Sequence, residues 1–463
     1  MRVNGVGFVC CGVISFLGGT GAAFSTEDVT EAGDTGWSVH APADLGRAVL
    51  AADDGWAAFG AATTGGSAAA PDQIYLVRSR AELIAALNNG VASAASPPTP
   101  SAAPKIIYVD TSIDFNVDDL DQPLSCADYH RDGYSLESFV ATYDPAVWGL
   151  AAPTGPLETA RLASQAAQQA RVRMRVGSNT TIVGLGNHAR LRGVWLDVRG
   201  SATANVSNVI IRNLTLEDTF DCFPTWAPTD GQLGSWNALY DSISLRNADH
   251  VWIDHNTFAD RETADPLQPH QLGVLFQVHD GELDITNASD LVTVSWNRFR
   301  DHDKVMLIGS SDGATATDRG KLRVSLHHNL FDNVGQRMPR VRFGQVHVYN
   351  NVYDLRDDAV FLYGWGVGIE SAIYAENNLF KIDRVLTPDR LIQRFNGTSI
   401  FESGTLINGA CDREQSDLVA AWNAVNEPDL SEAVLWSPAL VAHLQPTSDV
   451  WASVRNRAGP FDR

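Results

Sequence analysis

The chain has 463 residues, of which 44% are hydrophobic and 19% charged, a balance that excludes broad disorder and allows a large folded core. Its formal net charge of -21 disfavours nucleic acid and anionic membrane surfaces as the main partner. The charge is uneven, because residues 297–345 contain nine Lys or Arg against five Asp. A locally basic surface of this kind can bind an acidic polymer.

Residues 1–23 have one basic residue, then an apolar run, then small residues, with Gly21 and Ala23 suitably placed for cleavage after Ala23. The run is too short and too glycine-rich to be a good membrane span, so it predicts a secretory signal peptide. A buried N-terminal strand is the alternative. Residues 24–463 would then form one exported domain, extracellular or, as the alternative, periplasmic.

Three cysteines follow the predicted signal peptide, namely Cys126, Cys222 and Cys411. Two of them can form a disulfide in an oxidising compartment, leaving one free thiol. Because they have no CxxC spacing, the pattern does not suggest zinc binding or redox chemistry.

The N-terminal part of the chain predicts few regular elements. Ile74–Val77 is a predicted strand, and residues 79–88 are a predicted amphipathic helix that Ser79 caps. A strand resumes at residues 106–109 after a loop at 92–104, and the alanine-rich residues 157–175 predict a further helix. The first helix is suited to covering one end of a β structure.

From Gly177 onward, short apolar runs recur, each ending on Asn or Gly and followed by a large apolar residue. The repeated asparagines are Asn213, Asn256, Asn297, Asn329, Asn351 and Asn378. Their spacing fits a basic period of about 22 residues, doubled or lengthened where loops intervene. Stacked coils would place asparagine above asparagine, where the amides can form a hydrogen-bonded ladder.

This repeat predicts an all-β fold, a parallel β-helix with an N-terminal capping helix and long loops. The coils are expected over about residues 105–410, with residues 411–463 packing on them. A β-sandwich is the alternative, but a sandwich does not require an asparagine at the same phase of each strand.

Two acids flank the sequence Gly281-Glu282-Leu283, namely Asp280 and Asp284. Carboxylate oxygens suit calcium, and substrate oxygens and water can complete an open coordination shell. We expect Glu282 to point away from the ion as a solvated side chain. The alternative for the two aspartates is that they only cap surface turns.

Several ordered motifs resemble the pectate lyases of polysaccharide lyase family 1, over roughly residues 175–410. They lie at residues 218–220, 252–255, 279–281, 293–295, 301–304, 307–312, 326–329, 336–344 and 346–351. The resemblance implies that the β-helix is right-handed. It also implies that Asp241, Asp280 and Asp284 bind Ca2+, although Leu239 stands where some members carry a further acid.

The resemblance further implies that Lys304 and Arg342 bind the substrate carboxylate and that Arg337 is the catalytic base. For Lys304, the alternative is simple pairing with Asp301 or Asp303, which would contribute little. For Arg337, which normally stays protonated, the alternative is that it only stabilises charge while hydroxide acts. Arg340 matches no role in the family.

The implied activity is calcium-dependent β-elimination on α-1,4-linked polygalacturonate, which gives 4,5-unsaturated oligogalacturonides and degrades pectin. The protein is expected to act as a monomer, with no nucleic-acid or membrane partner. Alternatives are a glycoside hydrolase, a calcium-independent pectin lyase and a non-catalytic wall-binding protein. The aspartates disfavour the pectin lyase, and the adjacent cations suit an oxocarbenium mechanism poorly.

Overall fold

The computed structural model of the protein describes residues 44–91, 100–356 and 360–461. The signal peptide predicted for residues 1–23 lies outside the described residues. The described chain winds into a right-handed parallel β-helix with three long parallel sheets, so the predicted fold is confirmed.

The three sheets are named here by their position in each coil. The first sheet contains Ile74–Val77, Lys105–Val109, Thr180–Gly184, Val206–Arg212, Ala248–Asp254, Asp290–Ser295, Val324–His327, Gln345–Tyr349, Ala372–Glu376 and Ile400–Ser403. The second contains Ser112–Asp114, Arg190–Arg192, Thr215–Glu217, Thr257–Ala259, Arg298–Arg300, Leu330–Asp332, Val352–Leu355, Leu379–Ile382 and Leu406–Ile407. The third contains Arg173–Val176, Trp195–Arg199, Ile243–Arg246, Leu283–Thr286, Leu307–Ile308, Arg340–Val341, Trp365–Gly368 and Ile392–Phe395.

Identical register from coil to coil builds the core. In the first sheet Val251 pairs with Val209 and with Val292, and all three side chains are buried inside the coil. In the second sheet, buried rings stack from Phe258 through Phe299, Phe331 and Tyr353 to Phe380, with centroids 4.2 to 5.2 Å apart. The aromatic residue that follows each repeated asparagine from Asn256 to Asn378 is therefore a rung of this stack.

The predicted asparagine ladder is present from Asn256 to Asn378. Each Nδ2 donates to the Oδ1 of the next coil's asparagine at 3.0 to 3.2 Å, through Asn297, Asn329 and Asn351. Every ladder asparagine is buried, so the bonds satisfy groups that water does not reach.

Asn213 does not belong to the ladder, although its spacing suggested that it would. The ladder position in its coil is Leu214, whose N–H donates to Asn256 Oδ1 at 3.1 Å. Asn213 instead occupies the preceding corner at φ 57°, equivalent to His255 at 52° and Trp296 at 55°. Asn adopts this left-handed conformation more readily than most residues, which explains why it recurs at the corner too.

The described helices lie outside the coils. They are Arg80–Leu87, Leu136–Tyr143, Pro145–Trp148, Pro156–Val172, Thr315–Asp318, Leu418–Asn423 and Thr447–Arg457. The predicted capping helix is confirmed as Arg80–Leu87, whose Leu83 and Leu87 join the core. The helix predicted for residues 157–175 ends at Val172, because Arg173–Val176 pairs with Trp195–Arg199 in the third sheet. None of the described helices combines the length and apolar character needed to cross a bilayer.

Short 3-10 turns and two hairpins complete the regular structure. The turns are Leu45–Arg47, Trp56–Ala58, Pro71–Gln73, Cys126–Tyr129, Asp265–Leu267, Pro388–Leu391 and Asp412–Glu414. The hairpins pair Thr225–Ala227 with Ser235–Asn237 and His270–Gln271 with Val274–Leu275. A disulfide joins Cys126 to Cys222, and Cys411 is a free thiol.

Candidate active site

Two of the predicted metal ligands face each other at the edge of the third sheet. Asp241 precedes the strand Ile243–Arg246, and Asp284 lies in the next coil's strand. The N–H of Gly281 donates to Asp241 Oδ1 at 3.1 Å. A Cβ built on Gly281 would lie 2.5 Å from Asp284 Oδ1 and 3.2 Å from Asp241 Oδ1. Glycine at this position therefore keeps open the space between the two carboxylates.

The three predicted ligands repel one another. Burial raises the pKa of Asp241 well above its usual value, and the charges of Asp284 and Asp280 raise it further. Burial and then Asp280 raise the pKa of Asp284 to about 6, whereas Arg337 and Arg246 lower it. A hard divalent cation would offset this repulsion, and the oxygen-only donor set is the one calcium prefers. The residues present thus fit a calcium ion.

Asp280 is turned partly towards a cation. Its Oδ1 lies 3.4 Å from Lys304 Nζ, and the Lys304 side chain is 11% exposed. In the part of the chain that the structure describes, no three acidic, histidine or cysteine side chains converge as a ready metal shell. The structure brings Asp241 and Asp284 together, and Asp280 interacts with both through its charge while contacting Lys304. The three-ligand assignment stays a prediction.

Arg337 follows Gln336, which forms a parallel β-bridge with Lys304, so Lys304 and Arg337 lie on adjacent coils. Arg337 has φ 60°, an uncommon conformation for a large side chain. Its buried Nε has no hydrogen-bond partner among the described residues. Burial would lower the pKa of Arg337, but Asp284 and Asp280 together raise it above its ordinary value.

Tyr363 lies beside Arg337, and the sequence analysis did not identify it as a site residue. The hydroxyl-bearing side chain is 4% exposed, and burial raises its pKa while Arg337 lowers it. The ring packs edge-on against Phe395, with centroids 5.1 Å apart. Tyr363 follows a loop in the next coil, so no local sequence pattern ties it to Arg337.

Arg342 is anchored rather than free. Its Nε donates to Asp312 Oδ1 at 2.6 Å, and its Nη1 donates to the carbonyl of Gly309 at 3.0 Å. Glycines flank it in the neighbouring coils, since a Cβ on Gly309 would lie 2.8 Å from Arg342 Cβ and one on Gly368 would lie 2.9 Å from its Cγ. None of the described residues accepts from Nη2, which is therefore available to a ligand. No motif in the sequence indicates that Asp312 is its partner.

Arg340 stacks on an aromatic ring, with its guanidinium carbon 3.9 Å from the centroid of Phe395. Its Nε has no hydrogen-bond partner among the described residues. It alternates with the buried Val341 in the strand Arg340–Val341, so Arg340 and Arg342 extend from the same outer face.

An open cleft of about 370 Å³ lies beside Asp280, Lys304 and Arg337. Its walls are the two hairpins and the turns before the third sheet, and its lining residues include Trp236, Gln277, Asp280, Asp303, Lys304, Gln336 and Arg337. Aromatic packing supports the hairpin wall. The ring centroid of Trp236 lies 5.1 Å from that of Trp226 and 4.9 Å from that of Phe276. The cleft is therefore polar at its floor and supported by aromatic packing.

A buried charged network lies behind the floor. His302 Nδ1 is 2.6 Å from Asp260 Oδ2, and its Nε2 is 2.9 Å from the carbonyl of Asp280 and 3.1 Å from that of Lys304. Burial would lower the pKa of His302, but Asp260 and Glu282 raise it well above its usual value. The imidazolium can thus donate from both nitrogens, fixing the backbone of Asp280 and Lys304.

Glu282 is not solvated, contrary to the expectation from sequence. It is 2% exposed, and burial raises its pKa to about 8. Its Oε1 lies 4.0 Å from His302 Nδ1, and neither carboxyl oxygen has a hydrogen-bond partner among the described residues. Lys304 contacts Asp280, so the structure does not show the alternative in which Lys304 pairs with Asp301 or Asp303.

The chain is similar to known proteins of one family. The family model described as pectate lyase matches residues 140–441. The pectate lyase of Bacillus subtilis (strain 168) is 41% identical over 420 residues, which cover 90% of this chain and 94% of the relative.

Solved structures give the same result. The thermostable pectate lyase PL 47 has a TM-score of 0.84 at 44% identity, covering 91% of this chain and 100% of that one. A pectate lyase bound to a hexasaccharide has a TM-score of 0.82 at 41% identity, covering 90% and 99%. The chain therefore belongs to the pectate lyases of polysaccharide lyase family 1, the family that its motifs resemble.

Proposed function

We propose that the protein cleaves α-1,4-linked polygalacturonate by calcium-dependent β-elimination and so takes part in pectin degradation. One observation carries the proposal: Asp280, Lys304 and Arg337 line one cleft, and Asp280 repels the buried carboxylates of Asp241 and Asp284 next to it. The similar pectate lyase bound to a hexasaccharide supports an oligosaccharide as the ligand of such a cleft.

Asp241, Asp280 and Asp284 would hold the calcium ion. Bound there, the ion would neutralise the substrate carboxylate and help to acidify the neighbouring C5–H bond. Lys304 Nζ and Arg342 Nη2 would bind carboxylate oxygens of the sugar, because both donors are charged and anchored. These cations also stabilise the negative charge that develops as C5 loses its proton.

Arg337 would take the C5 proton as a neutral guanidine. The electron pair left at C5 forms the C4–C5 double bond, and the C4–O4 bond breaks. The leaving O4 atom takes up a proton, so no water is consumed, and the product carries a 4,5-unsaturated end. Burial favours the neutral form of Arg337, whereas Asp284 and Asp280 oppose it as long as their charges are uncompensated.

The test is ultraviolet absorbance on polygalacturonate, since the unsaturated product absorbs and a hydrolysis product does not. Wild type should give a rising signal that a chelator abolishes and added Ca2+ restores. Arg337→Ala should give no signal while still binding the polymer. Reducing ends without absorbance would indicate a hydrolase, activity in chelator would indicate a calcium-independent lyase, and binding without turnover would indicate a wall-binding protein.

We also propose that the protein is exported and acts outside the cell as a monomer. The disulfide between Cys126 and Cys222 supports an oxidising compartment, and the apolar residues 1–23 support export. Fractionation of expressing cells and size-exclusion chromatography with light scattering test the two statements. Retention in the cytoplasm would contradict the first, and a dimeric mass would contradict the second.

A further inference from the structure

We propose that Arg246 binds a galacturonate carboxylate on the flank of the aspartates opposite to Arg342, forming a second anionic subsite. This inference rests on the proposed function. It extends the substrate contact beyond the reacting sugar, towards the N-terminal coils.

Arg246 occupies the outer face of the third sheet. It ends the strand Ile243–Arg246, in which Ile243 and Leu245 are buried inside the coil. Its register partners are Arg199 in the preceding coil and Thr286 in the following one. Side chains alternate along a strand, so Arg246 faces the same way as Asp284, whose register partner is Ser244.

Arg246 and Arg342 lie in the same outward row, three coils apart. Arg246 pairs with Thr286 in the next strand. Ile285 pairs with Ile308, and Ile308 pairs with Val341. The residues that follow these partners therefore form one row, which runs from Arg246 through Thr286 to Arg342. Neighbouring strands are about 4.8 Å apart, so three steps separate the two residues by about 14 Å. Asp284 lies one coil further along in this direction and Asp241 lies in the coil of Arg246, so Arg246 borders the aspartates on the side away from Arg342.

Arg246 differs from Arg199 and Arg342, which also lie on the outer face of the third sheet, because no carboxylate or carbonyl is bound to it among the described residues, and from Arg340, because no aromatic ring stacks on it there. Arg199 Nε lies 3.1 Å from Asp197 Oδ1, and Arg342 Nε lies 2.6 Å from Asp312 Oδ1. Among the residues that the structure describes, no carboxylate or carbonyl accepts from Arg246, and its Nε is buried. A buried donor without an acceptor is costly, so the position favours an acceptor supplied by a ligand.

The nearby aspartates do not supply that acceptor. Arg246 lowers the pKa of both Asp241 and Asp284 through its charge, but neither carboxylate comes within ion-pair distance of it. Asp241 Oδ1 accepts from Gly281, and Asp284 Oδ1 accepts from Leu307 at 3.0 Å. Arg246 is therefore close enough to interact with both carboxylates through its charge, but its N–H groups donate to neither of them.

A carboxylate is the ligand that suits a free guanidinium, because the planar fork matches two carboxylate oxygens. The residue next to Arg246 in the following coil is Thr286, which carries no charge to compete for the guanidinium. A uronate polymer crossing the third sheet from Arg342 to Arg246 would offer a carboxylate at every sugar. The ligand class is thus an acidic, unesterified oligogalacturonate long enough to reach past the aspartates.

Direct binding tests this inference without turnover. Calorimetry with hexagalacturonate and Ca2+ would be run on Arg337→Ala and on the double variant that adds Arg246→Gln. Loss of the charged contact should weaken binding roughly tenfold to a hundredfold, and Arg246→Lys should restore only part of it. Methyl-esterified hexamer should bind the two proteins more equally. Arg319→Gln, at an exposed position paired with Glu370, is the matched control and should change nothing.

Kinetics separate this subsite from the aspartates. In the catalytically active protein, Arg246→Gln should raise KM for polygalacturonate by the same factor with kcat within about twofold. Unchanged hexamer affinity together with an altered calcium affinity would overturn the inference and assign Arg246 to the electrostatics of Asp241 and Asp284. Failure of the wild type to release unsaturated product would instead count against the proposed function, and the binding result would stand independently.

Discussion

The ammonium group of Lys304 lies 3.4 Å from Oδ1 of Asp280, so a predicted substrate-binding residue contacts a predicted metal ligand. Both are held by the same buried imidazole, because His302 Nε2 lies within 3.1 Å of the backbone carbonyls of both residues. The lysine and a metal ion would therefore compete for one carboxylate oxygen. The contact links substrate binding to metal binding through a single side chain.

Replacing Lys304 with Gln should separate the two functions. We expect kcat/KM on polygalacturonate to fall about a hundredfold, because a charged donor to the substrate carboxylate is lost. Calcium affinity measured by calorimetry should stay the same or become tighter, because the competing ammonium is gone. Lys321→Gln, at an exposed site, should leave both quantities unchanged. Weaker calcium binding in Lys304→Gln would contradict this account.

Arg342→Lys should impair substrate binding, although the charge is kept. An ammonium group cannot contact Asp312, the carbonyl of Gly309 and a substrate carboxylate with the geometry that the guanidinium provides. We expect KM to rise about tenfold with a smaller change in kcat, measured by the absorbance assay. Arg340→Lys is the matched comparison, because Arg340 stacks on Phe395, and it should change KM less. Equal effects of the two variants would argue against a special role for Arg342.

The fold was predictable because each coil repeats the same three local features in the same order. A residue in the left-handed region turns the corner, an asparagine bonds to the next coil, and an aromatic ring stacks inward, as in Trp296, Asn297 and Phe299. Asn213 was predicted in the ladder but lies at the corner one residue earlier, because asparagine suits both positions. Composition alone does not distinguish those two positions.

The site was predictable only where its residues lie in motifs. Asp280, Asp284, Lys304 and Arg337 sit in the turns that precede or start strands of the third sheet, so stacking brings them together. Partners that come from loops, such as Asp312 for Arg342, depend on loop paths that the repeat does not fix. The burial of Glu282 likewise depends on what covers it.

Removing one rung of the asparagine ladder should destabilise the protein. Asn329→Ala takes away the donor to Asn351 Oδ1 and to the carbonyl of Val294, and the acceptor for Asn297. Leaving buried groups unpaired costs about 1–3 kcal/mol each, so the free energy of unfolding should fall by about 2–5 kcal/mol. Chemical denaturation measures it. Asn456→Ala, at an exposed helical site, should change it by less than about 0.5 kcal/mol.

The disulfide between Cys126 and Cys222 joins positions 96 residues apart. It ties the turn Cys126–Tyr129 to the segment that leads into the hairpin wall of the cleft. Replacing both cysteines with Ser should lower the free energy of unfolding by about 2–5 kcal/mol, measured by denaturation under oxidising conditions. Cys411→Ser should have little effect, because that thiol is free. Equal stability of the double variant and the wild type would contradict a stabilising role.

Glu282 should make stability fall as the pH rises. Burial raises its pKa to about 8 in the folded protein, whereas an unfolded carboxyl group has already lost its proton above about 4.5. Between these values the folded state binds more protons, so the free energy of unfolding decreases with pH and then levels above about 8. Glu282→Gln, which mimics the protonated acid, should remove this contribution. The free energy of unfolding of Glu282→Gln relative to the wild type should therefore increase from pH 5 to pH 9. Denaturation of both proteins in chelator measures it without bound metal. The contributions of Asp241 and Asp284 are common to both proteins and cancel in the difference. Glu432→Gln, at an exposed site, should give a flat difference. Parallel pH profiles for Glu282→Gln and the wild type would show that Glu282 is ionised in the folded protein, with His302 compensating its charge.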